Sequence, residues 1–451
     1  MMMVVKQPRV NVALTERRLD SSEIHGQTFI VNKGKEFRRI GPYWPVLNFP
    51  DMSSVAESFH PAGAPLTARR TRIESIDLVR GIVMILMALD HTRDFFGTFG
   101  INPTNPATTT LPLFFTRWIT HFCAPTFFLL TGTGACLARR RKSRSELSWF
   151  LFTRGFWLIF LELTLSRSLG WQFNFDYRIT LLLVLWALGW AMIVLSALVY
   201  LPTPAIATFG IVLIVAHNLL DTVPWRNWAW SILHVPNVLI SAPKFSLFEA
   251  YPLIPWVGVT ALGYVLGRAY IWPQDRRRML LLRVGLGSIA TFIVLRAINL
   301  YGDPLRWSSQ KSVVFTALSF LNTTKYPPSL LFLLMTLGPA TLMLYAMDFG
   351  TPRWLCPALI FGKVPMFYYL LHVPLIHLIA IGVCYARYGQ VHWMFESPNI
   401  QSFPVTAPPG WGYSLPVVYL IWMIVVVSLF PLCRWFAGVR QRRTDAWLSY
   451  F

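Results

Sequence analysis

Ionisable side chains follow one face of the first apolar segment. Side chains three or four residues apart lie on the same face of a helix. That spacing is kept by Asp77, Arg80, Met84, Met87, His91 and Asp94. Each charge near the centre of a bilayer costs roughly 2.5–3.5 kcal/mol on insertion scales, so such groups usually line a site or a water-filled cavity. Arg80 and His91 are eleven residues apart, which is about 16 Å along a helix. The pattern indicates a cation near one membrane face and a titratable imidazole near the other.

His91 is the strongest candidate for proton chemistry, because imidazole gains and loses a proton near neutral pH. Asp90 and Asp94 accompany it. Either carboxylate could fix the tautomer of the ring and stabilise the imidazolium. We therefore predict His91, Asp94 and Asp90 as catalytic residues.

Further polar side chains are expected at the depth of His91. We predict that substrate is bound by Arg93, His121, Lys325 and His372. Arg93, His121 or Lys325 could stabilise an oxyanion or hold an anionic acceptor. For a single membrane histidine the alternative is a hydrogen bond to a neighbouring helix, and this applies equally to His217 and His377.

The composition is that of a membrane protein. The 451 residues are 55% hydrophobic and 13% charged, whereas a soluble domain carries about 25% charge. Long apolar windows recur along most of the chain, which predicts a polytopic membrane protein. The net charge of +20 comes from Arg and Lys clustered in short loops beside apolar segments. Membrane topology explains this charge, and no nucleic-acid partner is expected.

The predicted fold is all-α, with about ten transmembrane helices and both termini cytoplasmic. The expected spans are 76–97, 113–138, 149–169, 179–201, 205–222, 250–272, 279–300, 328–348, 359–385 and 414–433. Placing the N-terminus inside also places the basic clusters of residues 69–72, 139–144, 276–278 and 434–443 in the cytoplasm. Two apolar stretches, 228–240 and 312–322, are too short to span and are expected to be interfacial or re-entrant segments on the outer side.

Three regions are expected along the chain. Residues 1–72 are polar and read as a cytoplasmic, mostly disordered leader. Met52, near the end of this leader, is a second candidate start of translation. Residues 73–436 form the multi-helix membrane domain, and residues 437–451 form a short basic cytoplasmic tail.

Several kinds of site are not expected. The five cysteines have no close-spaced pair, and no helix carries the close His–His spacing of a zinc site. No Gly-rich phosphate loop or G-x-S-x-G sequence occurs. Gly81, Gly132 and Gly134 are predicted to be points where helices pack closely.

Two sets of motifs resemble known membrane acyltransferases. Arg80 and His91 on the first helix, with Phe127-Phe128-Leu129-Leu130-Thr131-Gly132 on the second, resemble the acyltransferase-3 family. The bacterial relatives of heparan-α-glucosaminide N-acetyltransferase are more similar still. Their resemblance rests on Asp90-His91-Thr92-Arg93-Asp94-Phe95-Phe96, Thr120-His121-Phe122-Cys123-Ala124-Pro125, Tyr251-Pro252-Leu253-Ile254-Pro255-Trp256-Val257-Gly258 and Gly362-Lys363-Val364-Pro365-Met366-Phe367-Tyr368-Tyr369-Leu370-Leu371-His372.

The resemblance implies an acyltransferase in a bacterial inner membrane. It would move an acetyl or other acyl group from cytosolic acyl-CoA to a sugar or glycan on the outer side, with acetyl-CoA as co-substrate. His91 matches the catalytic histidine of the family, and Arg80 matches an arginine near the expected cofactor. We predict Arg80 and Asp77 as cofactor-binding residues. The alternative is that Asp77 and Arg80 simply pair with each other.

A proton-coupled transporter is the competing class, because intramembrane Asp, His and Arg also form proton relays. The sequence shows neither an internal repeat nor a matched pair of broken helices, which many transporters contain. The polar groups are also expected near one membrane face rather than at the midplane. We therefore favour the acyltransferase.

Overall fold

A computed structural model describes residues 73–98, 101–225, 227–242, 244–397, 407–443 and 445–450. The predicted leader 1–72, with Met52, lies outside these residues. The described part is mostly helical. Its α-helices are α1 Glu74–Phe96, α2 Leu111–Thr120, α3 Cys123–Ala138, α4 Arg144–Leu161, α5 Val184–Leu198, α6 Thr203–Ala216, α7 Trp228–Leu233, α8 Leu253–Gly267, α9 Gln274–Ile298, α10 Val313–Leu321, α11 Leu330–Met347, α12 Cys356–Lys363, α13 Pro365–Tyr388 and α14 Leu415–Arg442.

Seven helices in the described residues are long and apolar enough to cross a membrane. They are Leu111–Ala138, Arg144–Trp171, Thr203–Thr222, Gln274–Ile298, Leu330–Met347, Pro365–Tyr388 and Leu415–Arg442. The other three predicted spans also contain a helix, namely α1, α5 and α8. α1 carries several charges, and α5 and α8 have only 15 residues each. Ten spans with both ends inside therefore stays a prediction.

Two of the predicted spans are interrupted. The segment 113–138 divides between Thr120 and Cys123, and the segment 359–385 divides at Val364. Val364 leaves helical geometry, with φ −132° and ψ 51°. The following Pro365 explains this break, because proline disfavours a helical conformation in the residue before it. His121 lies in the first break, where its own backbone keeps helical angles, with φ −61° and ψ −26°.

A three-stranded sheet, which the all-α prediction lacked, lies among the helices. Its strands are β1 Ile179–Leu182, β2 Asn237–Ala242 and β3 Phe245–Glu249, in the order β1-β3-β2. β1 runs parallel to β3, and β2 runs antiparallel to β3 with an irregularity near Ile240. The predicted interfacial stretches 228–240 and 312–322 hold the short helix α7 with the start of β2, and the helix α10.

α1 packs against α12, α13, α14 and α3. Gly81 and Gly362 permit the closest of these approaches: a Cβ on Gly81 would overlap the Ala358 carbonyl, and one on Gly362 would overlap the Asp77 carbonyl. Gly132 meets the Thr260 carbonyl of α8 in the same way. The predicted packing role of Gly134 is wrong, since the space around it is open. Glycine thus permits close contact of α1, which carries His91, with α12, and of α3 with α8.

Candidate active site

His91 is held by a second histidine from α13. Its Nδ1 lies 2.7 Å from Nε2 of His372, and Nδ1 of His372 lies 2.7 Å from the carbonyl oxygen of Tyr369. A carbonyl only accepts, so Nδ1 of His372 donates and its Nε2 is a bare acceptor. Nδ1 of His91 therefore donates to His372, which leaves the lone pair of His91 on Nε2. The pairing fixes the tautomer that a general base needs.

The two carboxylates lie elsewhere than expected. Asp90 accepts hydrogen bonds from Arg117, from Thr120 at 3.0 Å and from Arg93 at 2.9 Å. Asp94 accepts from Arg93 at 2.7 Å. Within the described part of the chain neither carboxylate is bonded to His91, so His372 takes the orienting position predicted for them. Asp90 instead balances the largely buried guanidinium groups of Arg93 and Arg117, which would be costly to bury without an anion.

Lys325 joins the same cluster from the loop before α11. The residue is 9% exposed, and its ammonium lies 5.1 Å from the centre of the Tyr326 ring. Its charge acts on both Asp90 and His91. Asp303 holds this loop by accepting hydrogen bonds from Ser329 Oγ at 2.6 Å and from the backbone N–H of Thr324 at 2.9 Å.

The remaining histidines differ in their surroundings. His121 is 4% exposed, and its Nδ1 has no hydrogen-bond partner in the described residues. It lies within electrostatic reach of Arg117 and Lys325. His377 contacts the carbonyl oxygens of Gly170 and Met394, each at 2.9 Å. His217 contacts the carbonyl of Ile214. His377 thus matches the alternative of a histidine bonded to neighbouring segments, whereas His217 bonds to the helix that precedes it.

Aromatic rings close the other side of His91. Trp171 meets the imidazole edge to face, with ring centres 4.9 Å apart, and Phe95 stacks on Trp171 at 5.9 Å. Trp171 ends a π-helix, Glu162–Trp171, that continues α4. Phe173, two residues later, has a φ of 48°, which is rare for a bulky residue. A π-helix and a bulky residue with a positive φ are both features that occur frequently at functional sites.

Arg80 lies at the opposite end of α1, far from this cluster. It donates to Asp77 at 2.9 Å and to the Gly362 carbonyl at 3.2 Å. The pairing with Asp77 is therefore present, and cofactor binding by Arg80 and Asp77 stays a prediction. Arg440 of α14 donates to the adjacent Lys363 carbonyl at 2.7 Å. Arg154 on α4 interacts electrostatically with both Arg80 and Arg440. Three guanidinium groups therefore gather at this end of the bundle, with Asp77 as a nearby anion.

Sequence reasoning missed several of these residues. Arg117 lies four residues before His121, but nothing in the sequence indicates that it contacts Asp90. Arg154 and Arg440 belong to segments far apart in the chain. Trp171 belongs to no pattern of polar residues that would have marked it as part of a site. In the described ranges, no group of three His, Cys, Asp or Glu side chains is arranged to hold a metal ion.

Residues 72–301 match the family model described as heparan-alpha-glucosaminide N-acetyltransferase, catalytic. The match covers just over half of the chain, and the chain therefore belongs to this family. No curated protein matches it. The matched range contains Arg80, His91 and Arg117, whereas Lys325 and His372 lie beyond it. Together with the seven candidate spans, this membership supports a membrane acetyltransferase.

Proposed function

We propose that this member of the heparan-alpha-glucosaminide N-acetyltransferase family transfers an acetyl group from cytosolic acetyl-CoA to a sugar or glycan on the other side of the membrane. The observation that carries the proposal is the His91–His372 pair, which leaves Nε2 of His91 as a proton acceptor. In the predicted orientation the Arg80 end of α1 faces the cytoplasm and the His91 end faces outward. The host membrane would be a bacterial inner membrane.

His91 acts as the general base in the proposed reaction. An acceptor hydroxyl or amine attacks the thioester carbonyl carbon while Nε2 takes its proton. The new C–O or C–N bond forms as the C–S bond breaks, and the leaving thiolate takes the proton back from the imidazolium. His372 is a positioning residue that keeps the lone pair on Nε2 by accepting from Nδ1. General base catalysis of this kind typically contributes about 10²–10⁴-fold.

In the proposed reaction, the cations around His91 bind the acceptor and stabilise the oxyanion. Lys325 and Arg93 supply positive charge beside the imidazole, and His121 offers a nitrogen that has no partner in the described part of the protein. Charge that develops on the thioester oxygen is stabilised most strongly in a site that excludes water. Asp90 and Asp94 keep the guanidinium groups in place rather than contacting the base.

The Arg80 end supplies the cofactor site. Arg80, Arg154 and Arg440 converge there from α1, α4 and α14. Guanidinium groups bind phosphate with two parallel hydrogen bonds, which suits the phosphates of CoA. Asp77 holds Arg80 in position. The separation of Arg80 from His91, about 16 Å on a continuous helix, is of the order that an extended pantetheine arm crosses.

The first experiment compares three single variants in purified protein. Binding of acetyl-CoA is measured by calorimetry, and loss of the thioester is followed with labelled acetyl-CoA and a panel of sugars. Arg80→Ala is expected to weaken binding at least tenfold. His91→Ala is expected to bind normally and to lose transfer at least 100-fold. His392→Ala is the matched control, since His392 is an exposed histidine outside the site.

Two results would contradict the proposal. Full acetyl transfer by His91→Ala would show that His91 is not the general base. Absence of acetyl-CoA binding in folded wild type would favour the proton-coupled transporter, which would then be tested by proton flux in vesicles.

A further inference from the structure

A cavity of about 700 Å³ lies between the sheet and α5, outside the cluster around His91. This volume is within the range of about 300–1,000 Å³ that small-ligand pockets occupy. Its walls are almost entirely apolar. Trp186 and Trp190 come from α5, Trp228 from α7 and Leu247 from β3. Such a lining suits a hydrocarbon ligand and offers little to a free sugar.

Glu249 lies on the cavity face of the sheet. Side chains alternate along a strand, so Glu249 shares a face with Leu247 and Phe245, which both line the cavity. Its partner in the parallel ladder is Leu182, another lining residue. Glu249 is 0% exposed; the backbone N–H of Tyr251 acts on its carboxyl group, but neither oxygen has a hydrogen bond of full geometry among the described residues. Burial raises the pKa of Glu249 to about 9, so its carboxyl is neutral at pH 7.

Thr180 adds a second polar group to the same wall. It lines the cavity, and its hydroxyl is also buried without a partner among the described residues. Native interiors seldom leave such groups unpaired, and a bound ligand with polar atoms could supply the missing partners. A ligand with a long apolar part and a few neutral polar atoms would satisfy both groups.

The cavity adjoins the surface that a bilayer would cover. Leu163 of the π-helix lines it. Leu165 and Leu169 of the same π-helix are 41% and 46% exposed. Exposed leucines on a membrane-spanning helix face lipid. The cavity is therefore walled in part by a helix whose other leucines face the region that acyl chains would occupy.

Two elements extend from the cavity wall to the cluster around His91. The π-helix carries Leu163 at the cavity and ends with Trp171 against His91. The turn after β3 carries Tyr251, whose ring lies 5.3 Å from that of Tyr326, the neighbour of Lys325. A molecule with its chain in the cavity would thus have its polar head directed toward the site.

We propose that this cavity binds the hydrocarbon chain of a membrane lipid, and that the acceptor of the reaction is a lipid-anchored sugar. The second part rests on the proposed acetyltransferase function, whereas the first part does not. The lipid chain would occupy the apolar walls, and its neutral linkage would meet Glu249 and Thr180.

The test uses hexadecyl glucoside with a photoactivatable diazirine in its chain, added to protein in phosphatidylcholine nanodiscs. Adducts are located by peptide mass spectrometry. We expect labelling within residues 239–249 of wild type. We expect it to be at least tenfold weaker in Leu239→Trp, which fills the cavity. Ile240→Trp is the matched control, because Ile240 is 46% exposed and lies outside the lining.

A competition in wild type keeps the test independent of how well Leu239→Trp folds. Excess unlabelled hexadecyl glucoside should remove the adduct, and methyl glucoside should not. Labelling that neither Leu239→Trp nor the competitor changes would overturn the lipid site.

Acetyl transfer to the two glucosides separates the two proposals. Transfer to hexadecyl glucoside with a kcat/KM at least tenfold above that for methyl glucoside is expected. Equal values would overturn the lipid-anchored acceptor while leaving an acetyltransferase. Specific labelling with no consumption of acetyl-CoA would overturn the acetyltransferase while leaving the lipid site.

Discussion

At the scale of single residues, the proposed chemistry depends on the hydrogen bond between His91 and His372. A histidine whose Nδ1 donates to a bare nitrogen is limited to one tautomer as long as the partner keeps its own proton on the far side. Tyr369 ensures this by offering only a carbonyl oxygen. The arrangement resembles the orienting role of a carboxylate beside a catalytic histidine, but it adds no negative charge to the site.

Replacing His372 should therefore affect turnover more than binding. His372→Ala is expected to lower kcat roughly 10²-fold, because His91 then samples the tautomer that has no lone pair on Nε2. KM for acetyl-CoA should change little. His372→Gln should recover part of the loss, since its side-chain carbonyl can accept from Nδ1 of His91. Steady-state kinetics and the pH profile of kcat check this, and equal activity of both variants to wild type would exclude the positioning role.

Single residues also show how far sequence reasoning reached at this scale. The types and spacing of Arg80, His91 and Asp94 were visible because all lie on one helix. Asp90 was predicted to orient His91, yet Arg117 and Arg93 hold it instead. A largely buried guanidinium group needs a carboxylate as an ion-pair partner, and Asp90 is the carboxylate beside Arg117. The two residues meet only once α2 has packed beside α1.

At the scale of elements, the packing of α1 against α12 decides where the first helix lies. Gly81 and Gly362 bring the two backbones into contact, and the Arg80 side chain then meets the carbonyl at the end of α12. The same contact fixes the height of His91, because both residues belong to one continuous helix.

A methyl group at this contact should separate the helices. Gly81→Ala is expected to cost about 1–3 kcal/mol of stability, since its Cβ would overlap the Ala358 carbonyl. Gly134→Ala is the matched control. It lies in a helix with open space around it, and alanine there should be neutral or stabilising by up to about 1 kcal/mol. Thermal unfolding in detergent measures both, and equal melting temperatures for the two variants would contradict the close approach.

The interruptions of helices were not evident in the hydropathy pattern. Apolar character continues through residues 113–138 and 359–385, so each was predicted as one span. Val364 and Pro365 mark one break by known local chemistry. The break at His121 has a local cause as well: Pro125 lies four residues later, and a proline cannot donate a hydrogen bond to the carbonyl four residues before it.

At the scale of the whole molecule, the predicted orientation places one site at each membrane face. The cytoplasmic side of that arrangement holds Arg80, Arg154 and Arg440. The other side holds His91, Lys325 and the cavity between the sheet and α5. Such a layout lets a charged cofactor stay in the cytoplasm while its thioester reaches the acceptor.

Cys356 offers a direct test of this orientation. It is the exposed cysteine of the five, at the start of α12, in the loop region predicted to be cytoplasmic. A membrane-impermeant maleimide should label it in inverted vesicles and leave it unlabelled in intact cells with a permeable outer envelope. Cys356→Ser is the control for labelling at the buried cysteines. Labelling from the outside would reverse the topology and with it the assignment of the two sites.

The sequence by itself determined the membrane class, the approximate position of most helices and the placement of Arg80 and His91 on one helix face. These follow from composition and local periodicity, which act over a few turns of chain. The tertiary structure decided the partner of His91, the pairing of Asp90 with Arg117, the gathering of three arginines and the cavity beside Glu249. Each of these joins segments far apart in the chain, such as His91 and His372. Which distant side chains meet depends on helix packing, and local pattern carries no information about it.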